Sequence, residues 1–264
     1  MNYTKVINNF KDKHICVIGD IILDEFISGD INRISPEAPV PVFSVIDKTY
    51  ALGGATNVAA NIANVGGTVS VIGMIGNDAT GRIVLNKIQH LKNINSVGII
   101  YSATKQTSCK TRMMCENKHI IRIDNESVND ISKQEEQHII SYFQKYIQTY
   151  DVIVISDYQK GLLTKNVITQ IIDITLKNRK KIIVDTKSKN IKYFKHITLL
   201  KPNLKEALEM SNKTTIHEAG KHLKELLHTN VLITEGSNGM RLFTSENGIT
   251  HLQTRTRDVF DVVG

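Results

Sequence analysis

Short runs dense in Val and Ile alternate with longer stretches whose apolar residues recur at helical spacing. This alternation constrains the fold more than any other feature of the chain. The runs lie at His14–Gly19, Val69–Ile75, Val152–Ser156, Lys181–Asp185, Thr198–Lys201 and Val231–Thr234. Near-continuous aliphatic runs of this length are the pattern of strands covered on both faces. Between them the spacing predicts helices at Asn57–Val65, Thr80–Leu91, Ser132–Tyr146, Lys165–Lys177, Leu204–Met210 and Ile216–Leu227. Ile139, Phe143 and Ile147, for example, fall on one helical face. Strand–helix–strand alternation predicts an α/β fold with a mostly parallel central sheet and helices on both faces. The chain's last part differs: Met240–Thr244 and Thr250–Gln253 read as an antiparallel pair turning at Asn247-Gly248.

Two stretches break the rhythm. Asp30–Ile46 holds three of the four prolines, Pro36, Pro39 and Pro41. Proline fixes its own φ and pushes its predecessor into extended geometry, so this stretch is not helical. Ser96–Asp124 alternates polar and apolar residues and reads as further strands. Both are expected to form a small second sheet, a lid with segments at about 28–46 and 97–123, within one domain spanning 1–264.

Composition excludes several classes. The 264 residues are 41% hydrophobic and 22% charged, which is globular usage. No apolar run approaches the ~18 residues of a membrane span. The start, MNYTKVINNFKDKH, has no apolar signal region. Cys16, Cys109 and Cys115 have neither disulfide-scaffold nor zinc spacing, which favours a reducing, cytoplasmic setting. The net charge of +7 is compatible with nucleic acid or with a small anionic substrate. The densest basic run, Lys177–Lys181, has no interleaved aromatics, so nucleic acid is not an expected partner, and neither is a membrane.

The candidate site residues fall where predicted strands end. Gly19-Asp20 closes the first strand and Asp24 follows. Carboxylates at the carboxyl edge of an open α/β sheet can accept hydrogen bonds from sugar hydroxyls, or simply turn the chain. Gly53-Gly54-Ala55-Thr56-Asn57 precedes a helix and allows either close ligand approach or tight packing; it is neither GxGxxG nor a P-loop. Asp185-Thr186-Lys187 and Lys201-Pro202-Asn203 end the next two strands, with Glu206 three residues past Asn203. A lysine there can meet a phosphate as a point charge. Asn203 and Glu206 share a helix face and can cap the helix or hold Mg²⁺ through waters. Thr234-Glu235-Gly236-Ser237-Asn238-Gly239 can wrap phosphates or turn a hairpin.

Taken together, these residues resemble the ribokinase-like (PfkB) carbohydrate kinases from about residue 10 to residue 264. The resemblance also rests on Ile75-Gly76-Asn77-Asp78 and Ser156-Asp157-Tyr158-Gln159-Lys160-Gly161. That last motif and the stretch from Asn32 to Val42, reading NRISPEAPVPV, make the chain most similar to the heptose-7-phosphate branch. The resemblance implies transfer of a phosphoryl group from MgATP to the anomeric hydroxyl of D-glycero-D-manno-heptose 7-phosphate, for ADP-heptose and lipopolysaccharide-core synthesis. It also implies a homodimer formed through the lid. Asp20, Asp24, Gly53, Gly54 and Asn57 would serve the sugar. Arg112, Lys160 and Lys187 would contact phosphate. Asn203, Leu204, Lys205 and Glu206 would lie by the ATP phosphates and Mg²⁺, with Thr234, Gly236 and Gly239 in the same nucleotide site. Another sugar kinase of the family, or a non-catalytic sugar-phosphate-binding remnant, are the alternatives.

The second family signature reads Asp-Thr-Thr-Gly-Ala-Gly-Asp. Asp261-Val262-Val263-Gly264 matches its first four positions with Val for Thr twice, and the closing Ala-Gly-Asp is not among the 264 residues. In the family that last Asp is the general base, and the glycines open an anion-stabilising helix. Loss of a base costs about 10²–10⁴ in rate, and loss of an anion-hole donor about 10²–10³. Little or no turnover is therefore expected of these residues alone.

Overall fold

The computed structural model describes residues 9–116, 118–244 and 248–254. Strand β1, His14–Gly19, sends Cys16 and Ile18 to one side and Val17 to the other, all fully buried. This period-two division puts a core on each face of the sheet. Parallel to β1 run β4 (Thr68–Gly76) and β8 (Val152–Asp157), then β9 (Lys181–Thr186), the short β10 (Leu199–Leu200) and β11 (Asn230–Thr234). β5 (Ile94–Ser102) lies parallel beside β4, while β12 (Met240–Thr244) and β13 (Gly248–Leu252) add antiparallel beyond β11. Among the described residues the sheet order is β13-β12-β11-β10-β9-β8-β1-β4-β5.

On one face pack α1 (Gly54–Asn64) and α2 (Ala79–Gln89), through Ala55, Ala59, Val84 and Ile88. The other face is covered by α3 (Lys133–Tyr146), α4 (Lys165–Lys177), α5 (Leu204–Ser211) and α6 (Ile216–Leu227). Phe143, Val167, Ile168, Ile171 and Leu223 there are fully buried, and each such side chain contributes about 1.5–3 kcal/mol. The predicted α/β architecture is the one observed.

The lid is a second sheet of order β3-β2-β6-β7, made of β2 (Ile21–Ile34), β3 (Pro41–Gly53), β6 (Ser108–Cys115) and β7 (Lys118–Asn125). Its boundaries differ from those expected. β2 begins in the core, with Ile21, Ile22 and Leu23 buried, and continues unbroken into the lid, so the lid starts before residue 28. β3 likewise extends past Ile46 to Gly53. Ile94–Ser102, expected outside the βαβ core, is instead the edge strand of the main sheet. Its polar–apolar alternation comes from that edge position, with Gly98 and Ile99 buried and Val97 exposed. α1 begins at Gly54, three residues before the expected start, because glycines and small residues hid its first turn. The turn expected at Asn247 lies outside the described residues.

Candidate active site

Asp20 follows β1 and is 4% exposed. Its amide donates to the Ser156 carbonyl at 3.1 Å, and its carbonyl accepts from the Ala55 amide at 2.9 Å. Gly54 sits at φ +56 where any Cβ would strike that carbonyl, so this glycine is required by packing as well as by backbone conformation. Asp20 Oδ2 accepts from the amides of Tyr158 (2.8 Å) and Lys160 (3.1 Å) in the loop after β8. Burial pushes the carboxyl up to about 6; the charge of Asp157 adds to the shift, while the loop amides, that of Lys160 first, oppose it.

The loop itself is held from below and above. Asp157 accepts from the Gln159 amide (2.9 Å), the Thr186 hydroxyl (2.7 Å) and the Asn190 amide group (3.0 Å). Lys105 Nζ donates to the carbonyls of Lys160, at 2.6 Å, and of Asn129. Burial lowers the Lys105 ammonium, and the charge of Asp20 works against that. Asp20, Met74, Lys105 and Lys160 line a cavity of about 20 Å³, room for a water and far short of a ligand site of some 300 Å³ or more.

Above Asp20 the lid presents a row of charges. Asp24 and Lys110 are register partners in β2 and β6, and Arg112 follows Lys110 by two, on the same strand face. Arg112 Nη1 lies 2.5 Å from Asp24 Oδ1, with its guanidinium over the Phe26 ring at 5.3 Å. Asp24 rests against Gly53, where a Cβ would displace it. Lys110 Nζ lies 3.1 Å from Asp124 and 3.3 Å from Glu126, and Lys160 Nζ lies 2.5 Å from the other Glu126 oxygen. Lys110 of the lid thus meets Lys160 of the core loop through one shared carboxylate, Glu126.

On the other side, β9 to β11 end in a second group. Lys201 Nζ pairs with Asp185 at 2.9 Å. Asn203 caps α5: its Oδ1 accepts from the Glu206 amide, and Glu206 Oε2 accepts from the Asn203 amide, both at 2.9 Å. The capping reading of this pair is therefore realised, and it leaves Glu206 Oε1 outside the cap. The Leu204 side chain packs toward the core, and Lys205, 86% exposed, faces Glu209 at 3.9 Å. Thr234 donates its amide to Pro202 (3.1 Å). Gly236, at φ +59, borders open space, whereas a Cβ on Gly239 would strike the Leu252 carbonyl, so Gly239 serves the packing of β13.

Tyr158 stands between the two groups. Burial raises its phenol, and the charges of Asp185, Glu206, Asp24 and Asp20 add to that in this order. Lys187 Nζ lies over its ring at 5.8 Å. The structure thus brings Asp20, Asp24, Gly53, Gly54, Arg112, Lys160 and Lys187 to one edge of the sheet. Asn57 lies apart: it lines a groove between α1 and α2 and accepts from Asn61 at 3.4 Å. Asp261 and Gly264 lie outside the described residues. Lys105, Lys110 and Glu126 escaped the sequence reading. Lys110 was detectable from its period-two relation to Arg112, whereas nothing in the sequence pointed to Glu126.

Among the described residues no three His, Cys, Asp or Glu side chains cluster as a metal site. Glu206 beside an open glycine turn fits Mg²⁺, which binds through one or two carboxylates, waters and substrate phosphates.

A buried Asp at the carboxyl edge of the parallel sheet, below a lid bearing cations, lies where open α/β folds bind ligands. Residues 12–264 match the pfkB family of carbohydrate kinases, and the chain belongs to that family. It is 37% identical over 254 residues to the Bifunctional protein HldE of Geobacter sulfurreducens, covering 94% of this chain and 52% of that protein. It is likewise 37% identical over 260 residues to the Bifunctional protein HldE of Aliarcobacter butzleri, covering 96% and 54%. The chain spans about half the length of the curated relatives it matches. Among solved structures, phosphofructokinase-2 from Escherichia coli in complex with fructose-6-phosphate superposes with a TM-score of 0.70 at 19% identity, covering 93% of this chain and 80% of that one.

Proposed function

We propose that this chain is a sugar-phosphate kinase unit that binds D-glycero-D-manno-heptose 7-phosphate for phosphorylation at O1 by MgATP. The 1,7-bisphosphate formed would feed ADP-heptose synthesis in the cytoplasm. The observation that carries this reading is the set of three cations, Lys110, Arg112 and Lys160, facing the lid side of Asp20. Their carboxylate partners are Asp24, Asp124 and Glu126, and an acceptor that bears a phosphate can compete with these for the cations, whereas a neutral sugar does not. The identity of the sugar rests on the resemblance carried by Arg33–Val42 and on the HldE relatives.

In this reading Asp20 and Asp24 accept hydrogen bonds from sugar hydroxyls, Arg112 and Lys160 meet the phosphate, and Lys187 serves either substrate. The ATP phosphates lie against the amino end of α5 and the turn at Gly236, with Thr234 alongside. Glu206 holds Mg²⁺ through water. The ion, when bound, neutralises charge on the phosphates. Closing the lid excludes water from the acceptor and strengthens each of these interactions.

The residues proposed to hold the acceptor all precede Asp261, so the test is binding. At 100 times its Kd, heptose 7-phosphate should stabilise the chain by about 2.7 kcal/mol, a rise in melting temperature of roughly 5 °C or more. Ribose and fructose 6-phosphate at the same concentration should shift it less. Equal shifts with all three would sink the substrate assignment.

The same reading includes a homodimer through the lid. Ile34, Val40, Val45 and Ile46 are 63, 52, 53 and 69% exposed around the lid's outer hairpin, a run of apolar surface suited to a second copy. Sedimentation equilibrium should find a dimer that Ile46→Asp converts to a monomer; a monomeric wild type would exclude it.

A further inference from the structure

We propose that Lys110 and Lys160 form the subsite for the acceptor's phosphate, and that Glu126 fills the phosphate's place when no acceptor is bound. The inference rests on the phosphorylated-acceptor reading above and assigns two residues to it, Lys110 and Glu126, that are not among those named from the sequence.

The geometry is that of one anion shared by two ammonium groups. Glu126 Oε1 lies 2.5 Å from Lys160 Nζ, and Oε2 lies 3.3 Å from Lys110 Nζ. A phosphomonoester presents pairs of oxygens at nearly the same spacing, with greater charge. The three side chains are only 16–18% exposed, so neither ammonium is left without a counter-ion at small cost. An anion between them serves both ammonium groups, and a carboxylate from the chain does so here.

The two lysines come from different parts of the molecule. Lys110 is on lid strand β6, and Lys160 is on the core loop. Lys110 keeps a second carboxylate, Asp124, at 3.1 Å, which holds it in place when Glu126 leaves. Glu126 itself lies in the irregular segment between β7 and α3, outside any ladder that would fix it. The backbone amide of Lys160 donates to Asp20 while its side chain reaches Glu126. One residue thus spans the hydroxyl-binding and phosphate-binding ends of the acceptor. A phosphate taken up between Lys110 and Lys160 also ties the lid to the core.

Calorimetric titration of the full chain with heptose 7-phosphate, the unphosphorylated heptose and inorganic phosphate tests this in three proteins. Wild type should prefer the phosphorylated sugar. Lys110→Met should weaken it by about tenfold or more, the scale of one hydrogen bond to a charged group, and leave the unphosphorylated sugar unchanged. Glu126→Gln keeps the shape but removes the competing charge, so heptose 7-phosphate and inorganic phosphate should both bind several-fold tighter. If wild type prefers the phosphorylated sugar but Lys110→Met keeps that preference in full, this subsite is wrong and the acceptor reading stands. If Glu126→Gln weakens both sugars equally, Glu126 is a structural strut rather than a placeholder. If wild type shows no preference for the phosphorylated sugar, both readings fail.

Discussion

Asp20 is held in a state that favours its protonated form more than water does. Its carboxyl titrates at about 6 in the folded chain because it is buried, against about 3.9 in the unfolded chain. The folded state therefore binds this proton more tightly. The stabilisation that follows is fully present below about pH 4 and is lost as pH rises through about 6, amounting to about 3 kcal/mol. Asp20→Asn keeps an acceptor for the amides of Tyr158 and Lys160 but cannot titrate. Denaturant melts from pH 4 to 7 should show the variant gaining stability relative to wild type as pH rises. Carboxyls shifted the other way, such as Asp78 and Glu126, are common to both proteins and drop out of the difference. Parallel pH profiles would show that the Asp20 carboxyl is not raised. The position of Asp20 was legible in the sequence because it follows a strand. Its dependence on Gly54 and on the amides of residues 158 and 160 was not, since these contacts join segments far apart in the chain.

At the level of elements, the amino end of α5 is where a local capping rule and the proposed nucleotide site coincide. Asn203 and Glu206 form a reciprocal cap, the pattern their three-residue spacing announces. Asn203→Ala should cost about 0.5–2 kcal/mol of stability and weaken ATP binding, measured by melting and by nucleotide titration. An unchanged melt with unchanged ATP affinity would remove α5 from the nucleotide site. Ser132 and Glu135 make the same cap on α3, and the sequence reading placed that start correctly. It failed at α1, where Gly53 supplies no side-chain cap and the helix opens on a left-handed glycine. It failed again at β5, because an edge strand packed on part of its faces alternates just as a lid strand does.

For the whole molecule, the decisive feature is a lid strand, β2, whose first residues are buried in the core beside the main sheet. β2 leaves Asp20, buries Ile21–Leu23 in the core and then carries Asp24 and Phe26 into the lid. In the proposed reading the sugar hydroxyls meet Asp20 and Asp24 at the start of this strand, while the phosphate meets β6 and the loop after β8. The parallel sheet, its helices and the existence of a lid were readable from hydrophobic period and proline placement. The charge row of Lys110, Arg112, Glu126 and Lys160 was read only in part, because its members meet through tertiary pairing of β6, a connecting segment and a core loop. The segment from Arg33 to Val42, which most identifies the branch, lies around the tip of the lid hairpin, away from Asp20.

In the proposed function a phosphorylated heptose binds under this lid with its hydroxyls on Asp20. Calorimetric titration of wild type and Asp20→Asn with heptose 7-phosphate, with fructose 6-phosphate as comparator, tests it most directly. Wild type should bind the heptose selectively, and the variant should lose about tenfold or more in affinity. Equal affinity in the two proteins, or no preference for the heptose in wild type, would contradict it.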